Sequence, residues 1–317
     1  MSHSENVSSI PVTIIGGFLG AGKTTLLNRI LNHDHGLRFA VLVNDYGAVN
    51  IDAQLLENKE ELDIVDLPNG CICCTLARGL VEVVHQVVTR VPAPDHIIIE
   101  ASGISSPSQI QSIMDIDTLQ RRIHMDSIIT LVDVKNVRKV AKAVTFMEDQ
   151  IRSADLLIAN KIDLVSSAEL TTVLDWLHQI APRVSIVKSA FADIPVKALF
   201  GLEHGMPDKI DAQSEHFHHN DFFQSWTFTS SKTLSWRELE TLISDLPTEI
   251  YRVKGFLSLQ EYPGKQCVLQ VVQNRYQLEN DREWGEDPPL TRLLFIGERG
   301  FDENSEWQDR LQNCIVA

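Results

Sequence analysis

Residues 17–24 have the sequence G-F-L-G-A-G-K-T, which fits the pattern G-x-x-x-x-G-K-[ST] and decides the fold of this chain. The apolar run 12–15 before it predicts a buried strand, and the run 25–31 after it has the apolar spacing of a helix. A glycine-rich loop between a strand and a helix is the context in which this pattern binds phosphate groups. A glycine-rich turn with a chance lysine is the alternative, and both flanks argue against it.

Each part of this loop has an expected role in holding a nucleotide. The glycines allow backbone N–H groups to turn toward phosphate oxygens, and the start of the helix adds the positive end of its dipole. Lys23 can reach the β- and γ-phosphates, and the hydroxyl of Thr24 can bind Mg²⁺. The expected nucleotide-binding residues here are Gly17, Gly20, Ala21, Gly22, Lys23, Thr24 and Thr25.

A second motif predicts which base the nucleotide carries. Residues 160–163 have the sequence N-K-I-D and follow the apolar run 155–159. The two oxygens of Asp163 can accept hydrogen bonds from the ring N–H and the exocyclic amine of guanine, a donor pair that adenine lacks. Asn160 would support the base pocket, and the stem of Lys161 would cover the ring. The pattern N-K-x-D resembles the guanine-recognition element of GTPases, which implies GTP and GDP as ligands.

Two shorter patterns fit the same interpretation. The strand-like run 97–99 ends in Glu100, and Gly103 follows three residues later. This resembles the D-x-x-G element of GTPases, in which the acid holds Mg²⁺ through water and the glycine N–H senses the γ-phosphate. A glutamate at the surface end of a strand is the alternative. Farther along, the pair Ser189-Ala190 resembles the last base-contacting loop of GTPases.

Three of the five cysteines fall within four residues, in the sequence C-I-C-C at 71–74. Thiolates are strong ligands for Zn²⁺ and other late transition metals, so Cys71, Cys73 and Cys74 are candidate ligands. A structural zinc site usually has four ligands, and an incomplete set suits a carrier with an exchangeable ligand. A strained disulfide and a buried apolar cluster are the alternatives.

The cysteine cluster also has an informative position. It lies between the phosphate-binding loop and Glu100, in the interval where the nucleotide-dependent loops of GTPases occur. Metal affinity could therefore depend on which nucleotide is bound.

Taken together, these motifs resemble the CobW family of metal-associated GTPases, which is related to the maturation GTPases of urease and hydrogenase. The resemblance rests on G-G-F-L-G-A-G-K-T-T, N-D-Y-G, G-C-I-C-C, E-x-S-G and N-K-I-D. It extends to the C-terminal half through Y-R-V-K-G-F at 251–256 and L-F-I-G at 294–297. The resemblance implies slow hydrolysis of GTP linked to delivery of a metal, most often zinc and in some branches cobalt or iron, to a client metalloprotein.

The segment N-D-Y-G-A at 44–48 departs from the N-E-F-G-E-like segment that is common in the family. Asp45 keeps the first acid with one methylene fewer, whereas Ala48 replaces the second acid and cannot bind a metal. Asp45 and Asp52 stay candidate oxygen ligands, or Asp45 positions Mg²⁺ or the attacking water. The expected catalytic residues are Lys23, Thr24, Asp45 and Glu100, with Thr24 and Glu100 also expected near Mg²⁺.

Alternating apolar strands and helical segments predict an α/β fold, a P-loop domain with a doubly wound, mostly parallel sheet. The expected strands lie at 12–16, 39–44, 62–66, 96–100, 127–133, 155–160 and 184–188. The nucleotide is expected at the carboxyl ends of these strands. We predict that this domain spans residues 1–203 and that a linker at 204–220 leads to a smaller α+β domain at 221–317.

The linker contains His216, His218 and His219, which could hold or hand over a metal or could be incidental solvated side chains. In the C-terminal domain, the isolated Cys267 and Cys314 are expected to be buried as small apolar residues. Strands are expected there at 222–229, 252–259, 266–272 and 292–296, and helices at 236–244 and 304–314.

Charge and hydropathy exclude several classes of partner. A net charge of −15 disfavours nucleic acid and anionic membranes as partners. No apolar run approaches the length of a membrane span, and residues 1–9 lack the apolar core of a signal peptide. The predicted compartment is the cytoplasm. The oligomeric state is not predicted, and a homo-oligomer is one possibility.

The leading hypothesis is a GTPase metallochaperone in which loop changes grip or release metal at the cysteine cluster. The second hypothesis is a GTP-dependent regulatory binding module that docks a partner through its C-terminal domain and has a purely structural cysteine site. A small-molecule kinase is a weaker third alternative, because N-K-x-D argues against it.

Overall fold

The computed structural model describes residues 9–32, 36–43, 63–66, 75–103, 105–114, 116, 119, 122–200, 223–272, 275–284, 288–299, 301 and 305–316. The chain divides into two compact units. The N-terminal unit is Met1–Pro182 with Lys188–Asp193, and the C-terminal unit is Arg183–Val187 with Ile194–Ala317. No helix within these described ranges is long and apolar enough to cross a membrane.

The first sheet has seven strands in the order β3-β2-β4-β1-β5-β6-β7. Its strands are β1 (Ile10–Gly17), β2 (Phe39–Val43), β3 (Asp63–Asp66), β4 (His96–Glu100), β5 (Ile123–Asp133), β6 (Leu156–Asn160) and β7 (Ser185–Ser189). β1 pairs in parallel with β4 and β5, β2 with β3 and β4, and β5 with β6. This confirms the predicted mostly parallel sheet, and the reversal of strand order around β1 is the doubly wound arrangement.

Helices connect these strands. They are α1 (Lys23–Asn32), α2 (Thr75–Val88), α3 (Pro107–Met114), α4 (Val137–Ala143), α5 (Phe146–Arg152) and α6 (Ser167–Ile180), and a 3₁₀ turn covers Ile162–Leu164. A further helix, α7 (Val196–Phe200), follows β7 and belongs to the C-terminal unit. The start of α6 is fixed by a capping box, in which the Ser166 hydroxyl accepts from the Glu169 N–H and the Glu169 carboxylate accepts from the Ser166 N–H.

The central strands are rich in apolar residues because the sheet is covered on both faces. Every residue of β2, β4 and β6 is buried. On one face, Ile14 of β1 and Ile99 of β4 pack in a core with Val84 of α2 and Ile110 of α3. This packing holds the carboxyl ends of neighbouring strands in fixed positions, which is where the predicted motifs lie.

β5 begins at Ile123, four residues before the predicted start, because polar residues in its first half hide the strand pattern. Asp126 is 6% exposed and accepts hydrogen bonds from the hydroxyls of Thr13 (3.1 Å) and Ser127 (3.2 Å). The Thr13 hydroxyl also lies 2.9 Å from Nε2 of the buried His96. Hydrogen bonding allows these polar side chains to be buried inside the sheet.

The C-terminal unit contains a five-stranded antiparallel sheet in the order β11-β10-β9-β12-β8. Its strands are β8 (Phe223–Ser230), β9 (Ile250–Ser258), β10 (Lys265–Val272), β11 (Arg275–Glu283) and β12 (Thr291–Glu298), and its helices are α8 (Trp236–Ser244) and α9 (Ser305–Asn313). This confirms the predicted α+β domain. β11 was not predicted, because this strand lies at the sheet edge and its sequence R-Y-Q-L-E-N-D-R-E is mostly polar.

The core of this unit lies between its sheet and its helices. Leu239 of α8 and Leu311 of α9 pack there with Leu269 of the sheet, and each is at most 1% exposed. Cys267 and Cys314 belong to the same core and are free thiols, which confirms the expectation that both are buried.

Candidate nucleotide-binding site

The predicted site residues that the structure describes cluster at one edge of the first sheet. β1 ends at Gly17, β4 at Glu100 and β6 at Asn160, and all three strands run in the same direction. The predicted residues Asp45, Cys71, Cys73 and Cys74 lie outside the described part of the chain, as do Ala48, Asp52, His216, His218 and His219. The linker boundaries at 204 and 220 also fall there and stay predictions.

The phosphate-binding loop is compact and closes on itself. Lys23, the first residue of α1, donates from Nζ to the carbonyl oxygen of Gly17 at 3.0 Å and is 6% exposed. The Ala21 N–H donates to the Phe18 carbonyl at 3.1 Å. The lysine head group is therefore held over the mouth of the loop, where a phosphate group would be bound.

Glycine is required at position 22 for two reasons. Its φ angle is +111°, in a region that side chains rarely adopt. A Cβ atom there would also lie 2.5 Å from Nδ2 of Asn160. At Gly20, which also has a positive φ of +75°, a Cβ would meet nothing within 4 Å. There is thus free space around Gly20, whereas Gly22 lies in close contact with the Asn160 side chain.

Asn160 connects two loops of the candidate site. Its side-chain amide donates to the carbonyl oxygen of Ala21 at 2.9 Å, and its side-chain carbonyl accepts from the N–H of Ala192 at 2.9 Å. Asn160 is 2% exposed, so both hydrogen bonds are shielded from water. One side chain thus fixes the phosphate-binding loop relative to the loop that follows β7.

Lys161 takes a left-handed backbone conformation, with a φ of +67°. Its Nζ lies 2.8 Å from Oδ2 of Asp133, the last residue of β5. Burial alone would raise the pKa of Asp133, but hydrogen bonds from Lys161 and Asn136 and the nearby lysine charge outweigh burial and lower the pKa below its ordinary value. The head group of Lys161 is thereby anchored, and Asp163, two residues farther along the chain, is exposed.

The loop after β7 is held from α1. Arg29 donates from Nε to the Phe191 carbonyl at 2.9 Å and pairs with Asp193 at 2.8 Å. Phe191 and Ala192 have positive φ angles of +55° and +53°, and the Phe191 side chain is 67% exposed. Only Ser189-Ala190 was predicted here, since nothing in the sequence links Arg29 to a loop more than a hundred residues away.

Glu100 is buried at the end of β4, 1% exposed, which excludes the alternative of a surface glutamate. It lies in register with Ile15 of β1 and Val43 of β2, and the next residue, Ala101, donates its N–H to the Ile15 carbonyl at 2.9 Å. A carboxylate is thus placed directly beside the strand that leads into the phosphate-binding loop.

Gly103 lies against the phosphate-binding loop. A Cβ atom at this position would come within 2.8 Å of the backbone nitrogen of Leu19 and 2.6 Å of its Cδ2 atom. A backbone atom cannot move aside as easily as the tip of a side chain, so the close approach requires glycine. The fold therefore brings Gly103 next to the phosphate-binding loop, and its contact with a γ-phosphate stays a prediction.

No group of three or more histidine, cysteine, aspartate or glutamate residues arranged to hold a metal ion occurs among the described residues. The cysteine cluster at 71–74 is not among them. The transition-metal site stays a prediction from the sequence.

In chemical terms, the arrangement brings together three functions at one sheet edge. These are a phosphate-binding loop with a buried lysine, the exposed carboxylate of Asp163, and the buried carboxylate of Glu100. Such an arrangement can bind a purine nucleotide by its base and its phosphates, with no nucleophilic side chain required.

Comparisons with known proteins point in the same direction. A sequence model of the family described as CobW/HypB/UreG, nucleotide-binding domain, matches residues 11–188, and one described as Cobalamin synthesis protein cobW C-terminal domain matches residues 223–315. The zinc chaperone YjiA of Escherichia coli (strain K12) is 30% identical over 92% of this chain and 95% of its own length.

One further relative and one solved structure are also similar to this chain. The zinc-regulated GTPase metalloprotein activator 1 of Dictyostelium discoideum is 33% identical over 65% of this chain and 50% of its own length. The crystal structure of Zn(II)-bound YjiA GTPase from E. coli aligns over 98% of this chain and 100% of that one, with 24% identity and a TM-score of 0.46.

Proposed function

The chain belongs to the CobW/HypB/UreG family of nucleotide-binding domains, and from this membership we propose that it is a GTPase metallochaperone. In this proposal the nucleotide state controls the binding of a transition metal, zinc, and its delivery to a client protein. The relatives named zinc chaperone and zinc-regulated GTPase support the zinc assignment.

The chain is a P-loop GTPase, and the observation that carries the site assignment is the pair of hydrogen bonds made by Asn160. By holding Ala21 and Ala192 at once, this side chain couples phosphate binding to base binding. In the proposed site the loop from Gly17 to Thr25 holds the phosphates, Asp163 accepts from guanine and the Lys161 stem covers the ring. Hydrolysis proceeds by positioning and electrostatic stabilisation.

The donor set at the sheet edge fits Mg²⁺, which prefers hard oxygen ligands. Thr24 lies in the first turn of α1, and the buried Glu100 ends the strand next to β1. In our proposal the Thr24 hydroxyl holds Mg²⁺ and Glu100 lies close by. When bound, Mg²⁺ would neutralise charge that develops on the phosphate oxygens. Lys23 would add a second positive charge for the phosphate oxygens, and the Gly103 N–H would donate to the terminal phosphate.

The proposed metal ligands are Cys71, Cys73 and Cys74, because three thiolates in four residues suit a soft or borderline metal with room for one exchangeable ligand. Cobalt or nickel would also be bound by such a set, so zinc is proposed on the strength of the relatives. The proposed client is a metalloprotein of the cytoplasm.

The test is a competition titration of zinc affinity on the full chain, loaded first with GDP and then with a non-hydrolysable GTP analogue. We expect the two affinities to differ by tenfold or more, about 1.4 kcal/mol of coupling. The Cys73→Ala variant should lose tight zinc binding and keep GTP binding. The matched control is Cys314→Ala, which removes a thiol from the core of the C-terminal unit and should leave zinc affinity unchanged.

Two results would overturn parts of this proposal. Equal zinc affinity in both nucleotide states would remove the coupling and favour the regulatory module with a structural cysteine site. Full zinc affinity in the Cys73→Ala variant would place the metal elsewhere, with the histidines at 216–219 as the next candidates.

A further inference from the structure

Gln150 of α5 is a buried amide next to the loop that follows β4. It is 0% exposed, and its Nε2 atom donates to the carbonyl oxygen of Ser105 at 2.7 Å and lies 3.4 Å from the carbonyl oxygen of Gly103. These two backbone carbonyls belong to the loop whose glycine lies against the phosphate-binding loop. A side chain 45 residues away in sequence therefore holds that loop by its backbone.

The orientation of this amide is fixed by its partners. Both nearby loop groups are carbonyl oxygens, which only accept, so the NH₂ group must face them. The other amide atom, Oε1, is buried and accepts no hydrogen bond from the described residues. An unsatisfied buried acceptor destabilises the fold. What the amide contributes is therefore the donation from its NH₂ group to the loop, which an apolar side chain of the same shape could not make.

The first turn of the same helix contacts the phosphate-binding loop. The ring of Phe146, the first residue of α5, lies 6.3 Å from the ring of Phe18 between centroids, at an interplanar angle of 38°. The second turn, through Gln150, contacts the loop of Gly103. α5 thus touches both loops that are expected to surround the terminal phosphate.

α5 itself is firmly attached to the N-terminal unit. Met147 and Ile151 are 1% and 0% exposed. The Thr130 hydroxyl of β5 donates to the backbone carbonyl oxygen of Gln150 at 3.3 Å. Arg152 donates to the Ile180 carbonyl at the end of α6 at 2.9 Å. A loop that is hydrogen-bonded to such a helix is fixed relative to the sheet.

We propose that Gln150 is a positioning residue. It holds the loop that follows β4, which contains Gly103, against the phosphate-binding loop and so determines how strongly the protein prefers GTP over GDP. Gln150 acts through the backbone of Gly103 and Ser105 and does not touch the nucleotide. The inference rests on the proposed GTP function, because it assigns the Gly103 N–H to the terminal phosphate. GDP lacks that phosphate, and its affinity should depend little on Gln150.

The experiment measures the affinity of the full chain for GDP and for a non-hydrolysable GTP analogue by isothermal titration. The Gln150→Met variant keeps the length and volume of the side chain and removes the amide. We expect its GDP affinity to stay within about threefold of wild type and its affinity for the GTP analogue to fall about tenfold or more, close to the strength of one or two charge-neutral hydrogen bonds. The matched control is Gln179→Met on the exposed face of α6, which should change neither affinity.

A second variant distinguishes positioning from simple structural support. Gln150→Asn keeps an amide but has one methylene fewer, so it should not reach Ser105 and should lose the same preference for the GTP analogue. In a double-mutant cycle with Gly103→Ala, which perturbs the same loop, the losses should not add. Fully additive losses would mean that the two residues act independently.

Three results would overturn the inference. The first is an unchanged preference for the GTP analogue over GDP in both variants of Gln150, and the second is an equal loss of affinity for both nucleotides in both variants. The third is additive losses of affinity in the double-mutant cycle. An equal loss would mark Gln150 as structural support only. The proposed function is judged separately on the wild-type protein. Absence of GTP binding there would overturn that function, whereas normal wild-type binding with unaffected Gln150 variants would overturn only the positioning role.

Discussion

Lys161 and Asp133 form an ion pair of 2.8 Å between the residue that follows β6 and the last residue of β5. Asp133 is itself held in place, because it accepts from the backbone N–H of Lys135 at 2.9 Å and from the side chain of Asn136 at 3.0 Å. The acid therefore fixes the lysine, and the lysine stem forms one side of the proposed guanine pocket.

The first prediction concerns this pair. Asp133→Asn removes the negative charge and should let the Lys161 head group swing into solvent, since the lysine is already 31% exposed. We expect affinity for GDP to fall about three- to tenfold, in line with the loss of one hydrogen bond of about 0.5–1.5 kcal/mol. The measurement is a titration with a fluorescent GDP analogue.

The control for this prediction is Asp175→Asn, which removes the same charge from an exposed position on α6. Its GDP affinity should equal that of wild type. Equal affinities in the Asp133→Asn variant and wild type would show that the ion pair does not shape the base pocket.

A pH dependence follows from the lowered pKa of Asp133. Because the pKa is lower in the folded protein than in the unfolded chain, the ionised carboxylate stabilises the fold above the ordinary aspartate pKa of about 4. This contribution is lost as the pH falls through the lower folded value. Urea unfolding of wild type and Asp133→Asn should therefore give a difference in unfolding free energy that is constant near neutral pH and shrinks below about pH 4. A difference that grows in acid would contradict the assignment.

Contiguous motifs made much of this protein predictable from its sequence. The loop at 17–24 and N-K-I-D at 160–163 each carry their own flanking strand, so they predicted both the parallel sheet and the edge where they meet. The extra residues of β5 and the whole of β11 were missed, since polar side chains interrupt the apolar pattern on which strand prediction depends.

The supporting contacts could not be predicted in the same way. Gln150 and Ser105 are 45 residues apart, and Arg29 and Asp193 are 164 residues apart. Neither pair lies in a motif, and an arginine on a helix is ordinarily a solvated side chain. Only the folded chain brings these residues to the loops that they hold.

The proposed base recognition makes a prediction of altered specificity. Asp163 should accept from two guanine donors, whereas xanthine carries a carbonyl oxygen in place of the exocyclic amine. In Asp163→Asn the side-chain NH₂ group can donate to that oxygen. We expect this variant to lose affinity for GDP by about a hundredfold, because a guanine donor would be left unpaired in the complex, and to gain affinity for xanthosine diphosphate. Competition between the two nucleotides on each protein measures the change, and an unchanged preference for GDP would show that Asp163 does not contact the base.

Two glycines with positive φ provide a matched test of the phosphate-binding loop. Gly22→Ala combines backbone strain at a φ of +111° with a Cβ 2.5 Å from Asn160 Nδ2, so it should displace the amide that holds Ala21. We expect nucleotide affinity to fall by more than about tenfold and stability by about 1–2 kcal/mol. Gly36 has a φ of +67°, and a Cβ atom there would meet nothing within 4 Å. Gly36→Ala should therefore show only the backbone strain and keep full affinity for the nucleotide. Thermal unfolding and GDP titration of both variants make the comparison, and equal affinities would contradict the steric argument.

The five cysteines should divide into two classes of reactivity. Cys267 and Cys314 lie in the core of the C-terminal unit, and burial raises the pKa of each thiol to about 11, so little thiolate is present at pH 8. In the reduced, metal-free protein, reaction with DTNB should therefore be fast for Cys71, Cys73 and Cys74 and should reach the other two only after denaturation. Stoichiometric zinc should protect the fast class, and Cys73→Ala should reduce the fast class by one thiol. If the fast-reacting thiols stay fully reactive in the presence of zinc, the cluster does not bind the metal, even if nucleotide binding is intact.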